Sequence, residues 1–292
     1  MVCACIDIGS NPTRLLVAEP APEGLREVLA HREFTHLRRG AIAPDDVARI
    51  AGHVARQVRL AREAGAERIR TVATAAVRDA PNADELCAAI ARAAGVEDEV
   101  LSGDEEARLA FAGVTGAVGA DGLPSGRIGV ADVGGGSTEL VCGTRADGVG
   151  WCVSFRVGSG LLADAYLRSD PPSARELHAV RQHAAGVFEG LDCPHPVVAF
   201  AVGGSATSLR RLLGAELTPE ALSRAIDVLA GAPAAEVAER HGLATERVRL
   251  LPAGILLLEE IARTFGAPMR IARGGLREGV VMEQLELHGQ GR

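Results

Sequence analysis

The chain of 292 residues contains no lysine, so all 31 of its basic side chains are arginine. A Walker-type phosphate loop places a lysine on the phosphates, and its absence excludes that kind of site. Any phosphate must instead be bound by arginine, by backbone N–H groups or by a metal ion. Positive charge is not in excess either, because the formal net charge is −7. This balance argues against a general nucleic-acid-binding protein.

Aromatic residues are also scarce, at 3% of the chain, so the core must be built from Ala, Val, Leu and Ile. None of the six cysteines belongs to a C-x-x-C pair, and this spacing predicts buried free thiols rather than disulfides or a thiolate metal site. No segment reaches about 18 consecutive apolar residues, the length typical of a membrane-spanning helix. We expect a cytoplasmic protein with neither a membrane nor a nucleic acid as its partner.

Both halves of the chain alternate short apolar segments with amphipathic ones. Helical periodicity over residues 44–64 and 82–94 flanks a β-branched segment, 69–77, that reads as a strand. Asn82, together with Glu85, is expected to cap the second of these helices. In the second half Thr218 and Pro219 form the start signal of another helix. A Gly-rich segment, 115–127, separates the halves as a predicted linker. The pattern predicts an α/β architecture that is written twice.

One phrase opens each half, as CIDIGSNPTRLLV (5–17) and VADVGGGSTELV (130–141). Each copy predicts a strand, a D-x-G turn and a second strand. Successive glycines allow backbone N–H groups to point into one concavity that binds phosphate, and an aspartate beside such a turn favours a bridging divalent cation. We expect the two hairpins to clamp one phosphate chain. The predicted phosphate-binding residues in the phrases are Gly9, Ser10, Asn11, Thr13, Arg14, Gly134, Gly135, Gly136, Ser137 and Thr138, and the predicted metal ligands are Asp7 and Asp132.

The segment SGDEEARL (102–109) offers two glutamates for a hydrolytic role. Ser102 and Glu105 have the S-x-x-E spacing of a helix capping box, which gives Glu105 a structural task. Glu106 has no such task and points about 100° further round the helix. This difference makes Glu106 the candidate general base.

Five ordered segments together resemble the Ppx/GppA family of exopolyphosphatases and guanosine pentaphosphate phosphatases, within the actin, sugar-kinase and Hsp70 superfamily. They are ATAAVRDAPN (73–82), SGDEEARLAFAGV (102–114), DVGGGSTEL (132–140), VGGSATSL (202–209) and GLREGVVME (275–283). The resemblance implies two actin-like (ribonuclease H-like) α/β lobes with a cleft between them. The expected lobes are residues 1–122, rejoined by a C-terminal helix at about 276–288, and residues 123–275, without the HD-like C-terminal domain of longer members. A homodimer is a further implication.

The same resemblance implies roles for individual residues. Glu106 matches the family's general base, which orients and deprotonates a water that attacks a terminal phosphorus. Arg78, expected at the end of a strand, is suited to neutralise phosphate, and Arg14 matches an arginine common in the first loop. Glu139 is expected to face the metal or the water. A strand-to-helix turn that would accept an anion at its helix N-terminus consists of Gly203, Gly204 and Ser205.

The chain departs from the family pattern at three positions. Pro12 stands where relatives usually have serine, and Arg249 and Arg273 stand where they often have aspartate. The leading prediction is a hydrolase dependent on Mg²⁺ or Mn²⁺ that releases terminal phosphate from inorganic polyphosphate. The alternatives are hydrolysis of guanosine pentaphosphate (pppGpp), a superfamily kinase, and a non-catalytic protein that binds polyphosphate or the alarmones guanosine penta- and tetraphosphate.

Overall fold

A computed structural model describes residues 1–22, 24–35, 37, 40–118, 123 and 125–289. The first half contains β1 (Cys3–Ile8), β2 (Thr13–Ala21), β3 (Gly24–Glu33), α1 (Pro44–Glu63), β4 (Arg68–Ala73), α2 (Ala75–Arg78), α3 (Ala83–Ala94), β5 (Asp98–Val100) and α4 (Gly103–Val118). The second half contains β6 (Ile128–Val133), β7 (Thr138–Thr144), β8 (Gly148–Phe155), α5 (Ser159–Tyr166), α6 (Ala174–Phe188), β9 (Val198–Val202), α7 (Gly203–Leu213), α8 (Pro219–Gly231), α9 (Ala234–His241), α10 (Thr245–Phe265) and β10 (Met269–Ile271). The helix α11 (Leu276–Gly289) follows.

The chain forms two compact units, Met1–Leu123 with Gly274–Arg292 as unit 1, and Pro124–Arg273 as unit 2. The sheet of unit 1 has the strand order β3-β2-β1-β4-β5, and the sheet of unit 2 has the order β8-β7-β6-β9-β10. In both sheets the first three strands are antiparallel and the last two run parallel to the central one. The predicted α/β fold, written twice, is confirmed. The cleft between the lobes stays a prediction.

Each sheet contains an edge strand, β3 or β8, that the sequence of the opening phrase does not predict. β3 and β8 both pair antiparallel with the second strand of their hairpin, so each phrase opens a three-stranded meander. Many positions of β3 are exposed or half-buried, and half-exposed edge strands lack the continuous apolar run that identifies a central strand. After these edge strands the chain turns back toward the loop of the opening phrase.

Other boundaries differ from the sequence expectations in one place that bears on the site. The segment 69–77 is not one strand, because β4 ends at Ala73 and Arg78 closes the short helix α2. Thr218 caps α8 as predicted, its hydroxyl accepting from the backbone N–H of Ala221. The first part of the predicted linker is the end of α4, and residues 119–122 and 124 lie outside the described residues.

The cores are aliphatic, as the composition requires. α10 is the central helix of unit 2, where Leu251, Ile255, Leu258 and other side chains are fully buried. Apolar clusters cover both faces of the sheet in unit 1. The six cysteines are free thiols, and four of them are buried. Among the described helices, none combines the length and the hydropathy needed to cross a membrane.

The C-terminal helix α11 packs against α4 in unit 1 through glycines that bring the backbones together. A Cβ at Gly113 would lie 1.9 Å from the carbonyl oxygen of Gly275 and 2.7 Å from the backbone nitrogen of Gly279. Gln284 then donates from Nε2 to the carbonyl of Ala4, at 3.1 Å. The last helix is therefore fixed to the first strand of the unit.

This close approach predicts that Gly113→Ala destabilises the protein by about 1–3 kcal/mol or more, because both backbones must move apart. Gly52→Ala is the matched control, since Gly52 lies in α1 with nothing within 4 Å of an added Cβ. Alanine there should add about 0.5–1 kcal/mol of stability. Urea unfolding measures both; equal stability of the two variants would contradict the proposed backbone contact.

Candidate active site

The carboxyl ends of three parallel strands meet at one edge of the sheet in unit 1. Ile8 pairs with Ala73, and Ala73 pairs with Val100. The backbone N–H of Thr74 continues this register to the carbonyl of Ile8, at 3.2 Å. Ligands in open α/β sheets bind outside the carboxyl ends of the strands, so this edge is the candidate ligand-binding edge of unit 1.

Residues 9–12, which we call loop 1, follow β1 at this edge. Thr35, two residues beyond β3, donates from Oγ1 to the carbonyl of Gly9 at 3.3 Å and to that of Ser10 at 3.1 Å. The N–H of Leu37 donates to the same Ser10 carbonyl, at 2.9 Å. The N–H of a trans peptide points opposite to its C=O, so the N–H groups of Ser10 and Asn11 point away from Thr35. The predicted phosphate nest therefore has an ordered support.

Asp7 lies in β1 opposite Arg14 of β2. Its side chain is buried, and this burial raises the pKa of Asp7, while the charges of Arg14 and Arg277 act in the opposite direction. Two cationic side chains thus favour the ionised form of the carboxylate that the sequence assigned to a metal, but burial has the larger effect on its pKa. As a metal ligand, Asp7 stays a prediction.

The structure brings Arg78 and Glu106 together. Arg78 donates from Nη1 to the carbonyl of Leu101 at 2.7 Å and to Glu106 Oε2 at 3.1 Å. Glu106 is 6% exposed, on the first turn of α4 beside the end of β5. Its neighbour Glu105 pairs instead with Arg108 at the more exposed side of the helix, and hydrogen bonds from Arg108 lower the pKa of Glu105.

The capping expectations at these helices are met only in part. The N–H of Glu105 donates to Ser102 Oγ at 3.1 Å, but the Glu105 carboxylate turns to Arg108 rather than back to the helix start. Asn82 does not cap α3; its side chain exchanges two hydrogen bonds with the backbone of Ile42. Neither difference moves Glu106 from its partner.

Loop 2, residues 134–137, closes in unit 2 with a bond from the N–H of Gly134 to the carbonyl of Ser137, at 3.0 Å. The Gly134 carbonyl accepts from the N–H and the hydroxyl of Ser159, and the Gly135 carbonyl accepts from the N–H of Leu161. By the same peptide geometry, the N–H groups of Gly135 and Gly136 point away from α5. Both loops are thus supported by the segment that follows the third strand.

Asp132 and Glu139 pair across β6 and β7. Directly opposite residues of antiparallel strands share a face, with Cβ atoms about 4.5–5.5 Å apart. Glu139 is 1% exposed, and its Oε1 accepts from Ser154 Oγ at 2.8 Å. Two carboxylates on one face form an oxygen donor set that suits Mg²⁺, which keeps several waters and takes one or two protein carboxylates. Among the described residues, no group of three or more His, Cys, Asp or Glu side chains forms a metal site.

Three of the predicted site residues have buried side chains. Thr138 is fully buried, and its Oγ1 donates to the Val157 carbonyl at 2.7 Å. Thr13, at the equivalent position of unit 1, is also fully buried, and its Oγ1 finds no hydrogen-bond partner in the described part of the chain. Ser205 is 1% exposed and packs against Gly254. The contribution of these three residues to phosphate binding stays a prediction.

The turn at β9 and α7 does adjoin Asp132. Gly203 has a φ of +90°, and a Cβ there would lie 2.6 Å from Asp132 Oδ1. Both features require glycine at this position. Gly204 follows at the first turn of α7, and the role of this helix start as an anion site stays a prediction.

Sequence reasoning missed the supports of both loops, above all Thr35 and Ser159. Gly158, next to Ser159, is required by the close packing, since a Cβ there would lie 2.5 Å from the Gly135 carbonyl carbon, but only the fold reveals this contact. The structure also shows the surroundings of two departures from the family pattern, Arg249 and Arg273. Arg249 pairs with Asp170 at 3.6 Å, and Arg273 is exposed.

Comparisons with known proteins cover most of the chain. The model of the Ppx/GppA phosphatase family matches residues 35–288. The chain is 28% identical to exopolyphosphatase 1 of Mycobacterium leprae, over 98% of this chain and 90% of that protein. It is 29% identical to guanosine-5'-triphosphate,3'-diphosphate pyrophosphatase of Aeromonas hydrophila, over 95% of this chain but 58% of that protein. The crystal structure of an Aquifex aeolicus member of the Ppx/GppA family superposes with a TM-score of 0.80 at 27% identity, covering 98% of both chains.

The buried charge of Asp7 predicts a pH-dependent difference in stability for Asp7→Asn. A pKa raised by folding means that the folded state binds the proton more tightly, so the parent protein loses stability relative to the variant as the pH rises above the ordinary aspartate pKa of about 3.9. In thermal unfolding measured from pH 4 to 8, the stability of the variant relative to that of the parent should increase with pH. A variant that loses stability relative to the parent as the pH rises would show that attraction to Arg14 and Arg277 outweighs desolvation.

Proposed function

The chain belongs to the Ppx/GppA phosphatase family, and from this premise we propose that it hydrolyses phosphoanhydride bonds, releasing terminal phosphate from inorganic polyphosphate. The proposal agrees with the name of the Mycobacterium leprae relative, an exopolyphosphatase that the chain matches over nearly its whole length. The kinase alternative requires a catalytic aspartate and an adenosine pocket. The pairing of the half-buried Arg78 with the buried Glu106 carboxylate supports hydrolysis instead.

The observation that carries the proposal is the position of Glu106. Its carboxylate is buried in unit 1, fixed by a guanidinium, at the sheet edge where loop 1 also begins. A solvated surface glutamate needs none of these features. A general base must instead be held in a defined orientation within hydrogen-bond reach of the proton that it accepts.

In the proposed reaction Glu106 orients the attacking water and accepts its proton as the water oxygen bonds to the terminal phosphorus. The bond between that phosphorus and the bridging oxygen breaks, and the shortened polyphosphate leaves with the electron pair. Arg78 holds the carboxylate through Nη1, and its other N–H donors are suited to the phosphate oxygens. The N–H groups of Ser10 and Asn11, with Arg14, bind the same anion. Phosphoryl transfer depends mainly on such positioning and charge neutralisation, so strong activation of the water is not required.

The proposed contribution of unit 2 is to bind phosphate at loop 2 and the metal at Asp132 and Glu139. Bound Mg²⁺ or Mn²⁺ would neutralise charge on phosphate oxygens. The N–H groups of Gly135 and Gly136 donate to phosphate, and Ser137 closes the loop. The hydrogen bond from Ser154 fixes the orientation of the Glu139 carboxylate toward the proposed cation.

A second substrate is supported by the Aeromonas hydrophila relative, whose name specifies a guanosine-5'-triphosphate,3'-diphosphate pyrophosphatase. Hydrolysis of pppGpp would use the same base and the same loops, because the bond that breaks is again a terminal phosphoanhydride. Parallel assays with long polyphosphate, tripolyphosphate, pppGpp and ATP rank the substrates by kcat/KM. We expect long polyphosphate to rank first.

Glu106→Gln should lower kcat for phosphate release about 10²–10⁴-fold, the usual contribution of a general base, without loss of folding. The adjacent Glu105→Gln is the matched control and should keep near-parental activity, because the Glu105 carboxylate pairs with Arg108. Phosphate release from polyphosphate and thermal unfolding are measured on both variants. Unaltered turnover of the Glu106 variant would refute the assignment.

Removal of divalent cations with a chelator should abolish phosphate release, and added Mg²⁺ or Mn²⁺ should restore it. Glu139→Gln should raise the Mg²⁺ concentration for half-maximal activity by about tenfold or more, since it removes one carboxylate of the proposed pair. Glu216→Gln is the control in unit 2, where Glu216 pairs with Arg270 at an exposed position. An unchanged Mg²⁺ titration curve for the Glu139 variant would count against the proposed metal site.

A further inference from the structure

Thr35 contacts three consecutive residues of loop 1. Its single hydroxyl is shared between the carbonyls of Gly9 and Ser10, at 3.3 and 3.1 Å, and its backbone N–H donates to Asn11 Oδ1 at 3.2 Å. The side chain is fully buried. The orientation of two peptide groups and one side chain in the loop therefore depends on where Thr35 is held.

Thr35 is held from α1 by Arg49. Nη2 of Arg49 donates to the Thr35 carbonyl at 2.7 Å, and Nη1 donates to the adjacent Phe34 carbonyl at 3.3 Å. Asp46, one turn earlier on α1, pairs with the same guanidinium. A planar guanidinium that spans two successive carbonyls fixes both the place and the direction of an extended segment.

Further along the helix, the same side of α1 contacts the end of β3 and the start of β2. His53 lies 3.2 Å from Glu33 through Nε2, and Arg56 lies 3.6 Å from the same carboxylate. Gln57, fully buried, donates from Nε2 to the Thr13 carbonyl at 3.3 Å. Polar residues with helical spacing, 49, 53, 56 and 57, thus contact residues 33–35 and Thr13, which directly follows loop 1.

We propose that Thr35 and Arg49 are positioning residues for phosphate binding at loop 1: Thr35 aims the N–H groups of Ser10 and Asn11, and Arg49 holds Thr35 in place. The inference rests on the proposed function, because it assumes that loop 1 binds the phosphates of the substrate. Neither residue touches the substrate. Their effect is transmitted through the carbonyls of Gly9 and Ser10.

The test is tripolyphosphate binding by calorimetry in the Glu106→Gln background, together with kcat/KM in the otherwise unaltered protein. Thr35→Val keeps the shape and removes the hydroxyl, and it should weaken the Kd about tenfold or more and lower kcat/KM to match. Thr35→Ser keeps the hydroxyl and should stay within about twofold of the parent. Thr115→Val is the matched control, because the Thr115 hydroxyl is likewise shared between two carbonyls, of Phe111 and Ala112, within α4.

Arg49→Met tests the second link, and it keeps the inference falsifiable if the Thr35 variants fold poorly, because Arg49 is partly exposed. It should weaken the Kd as Thr35→Val does. The double variant should bind about as weakly as either single one, since both act through the same contact. Arg59→Met, which removes an arginine bonded only to its own helix at Ala55 among the contacts described, should bind like the parent.

The outcomes separate the inference from the function on which it rests. The positioning role would be overturned if Thr35→Val and Arg49→Met bound tripolyphosphate with parental affinity. It would also be overturned if Thr35→Ser lost as much affinity as Thr35→Val. Neither result would affect the proposed hydrolysis, which is tested by phosphate release from the parent. If the parent bound tripolyphosphate but released no phosphate, the proposed hydrolysis would be refuted, and the Kd values of the variants would still test the positioning role. A parent that neither binds nor hydrolyses the probe overturns both.

Discussion

The register of the parallel strands is the constraint on which the candidate site depends. Ile8, Ala73 and Val100 end side by side in unit 1, and Asp132 pairs with Val202 in unit 2. A slip of one residue would turn every side chain of a strand to the opposite face of its sheet. The aliphatic clusters on both faces of the unit 1 sheet oppose such a slip. The packing of small apolar side chains therefore sets where the loops begin.

On this shared frame the two units place opposite charges beside equivalent aspartates. Asp7 pairs with Arg14, whereas Asp132 pairs with Glu139. In unit 1 the charge of Arg14 opposes the effect of burial on the pKa of Asp7, without outweighing it, and adds positive charge beside loop 1. Two carboxylates on one face repel each other and favour a cation between them. A single cross-strand position thus accounts for the proposed division between phosphate binding in one unit and metal binding in the other.

Local patterns in the sequence identify the hairpins, Glu106 and the twofold architecture, because those features depend on residues close together in the chain. The burial of three predicted site residues has a non-local cause. The side chains of Thr13, Thr138 and Ser205 are covered by segments that pack on them in the fold. The supports at Thr35 and Ser159 come from chain that returns after an edge strand. Neither has a motif of its own, so spacing alone could not reveal them.

The two loops reach the same peptide orientation through different contacts. In unit 2 the support is mostly backbone against backbone, and it comes so close that Gly158 and Gly160 leave no room for a Cβ near the Gly135 carbonyl. In unit 1 a threonine side chain spans the gap, and an arginine from another helix holds it. Backbone support changes only when the chain itself moves, whereas side-chain support changes with a single substitution. We therefore expect point mutations distant from the substrate to change the phosphate affinity of loop 1 more readily than that of loop 2.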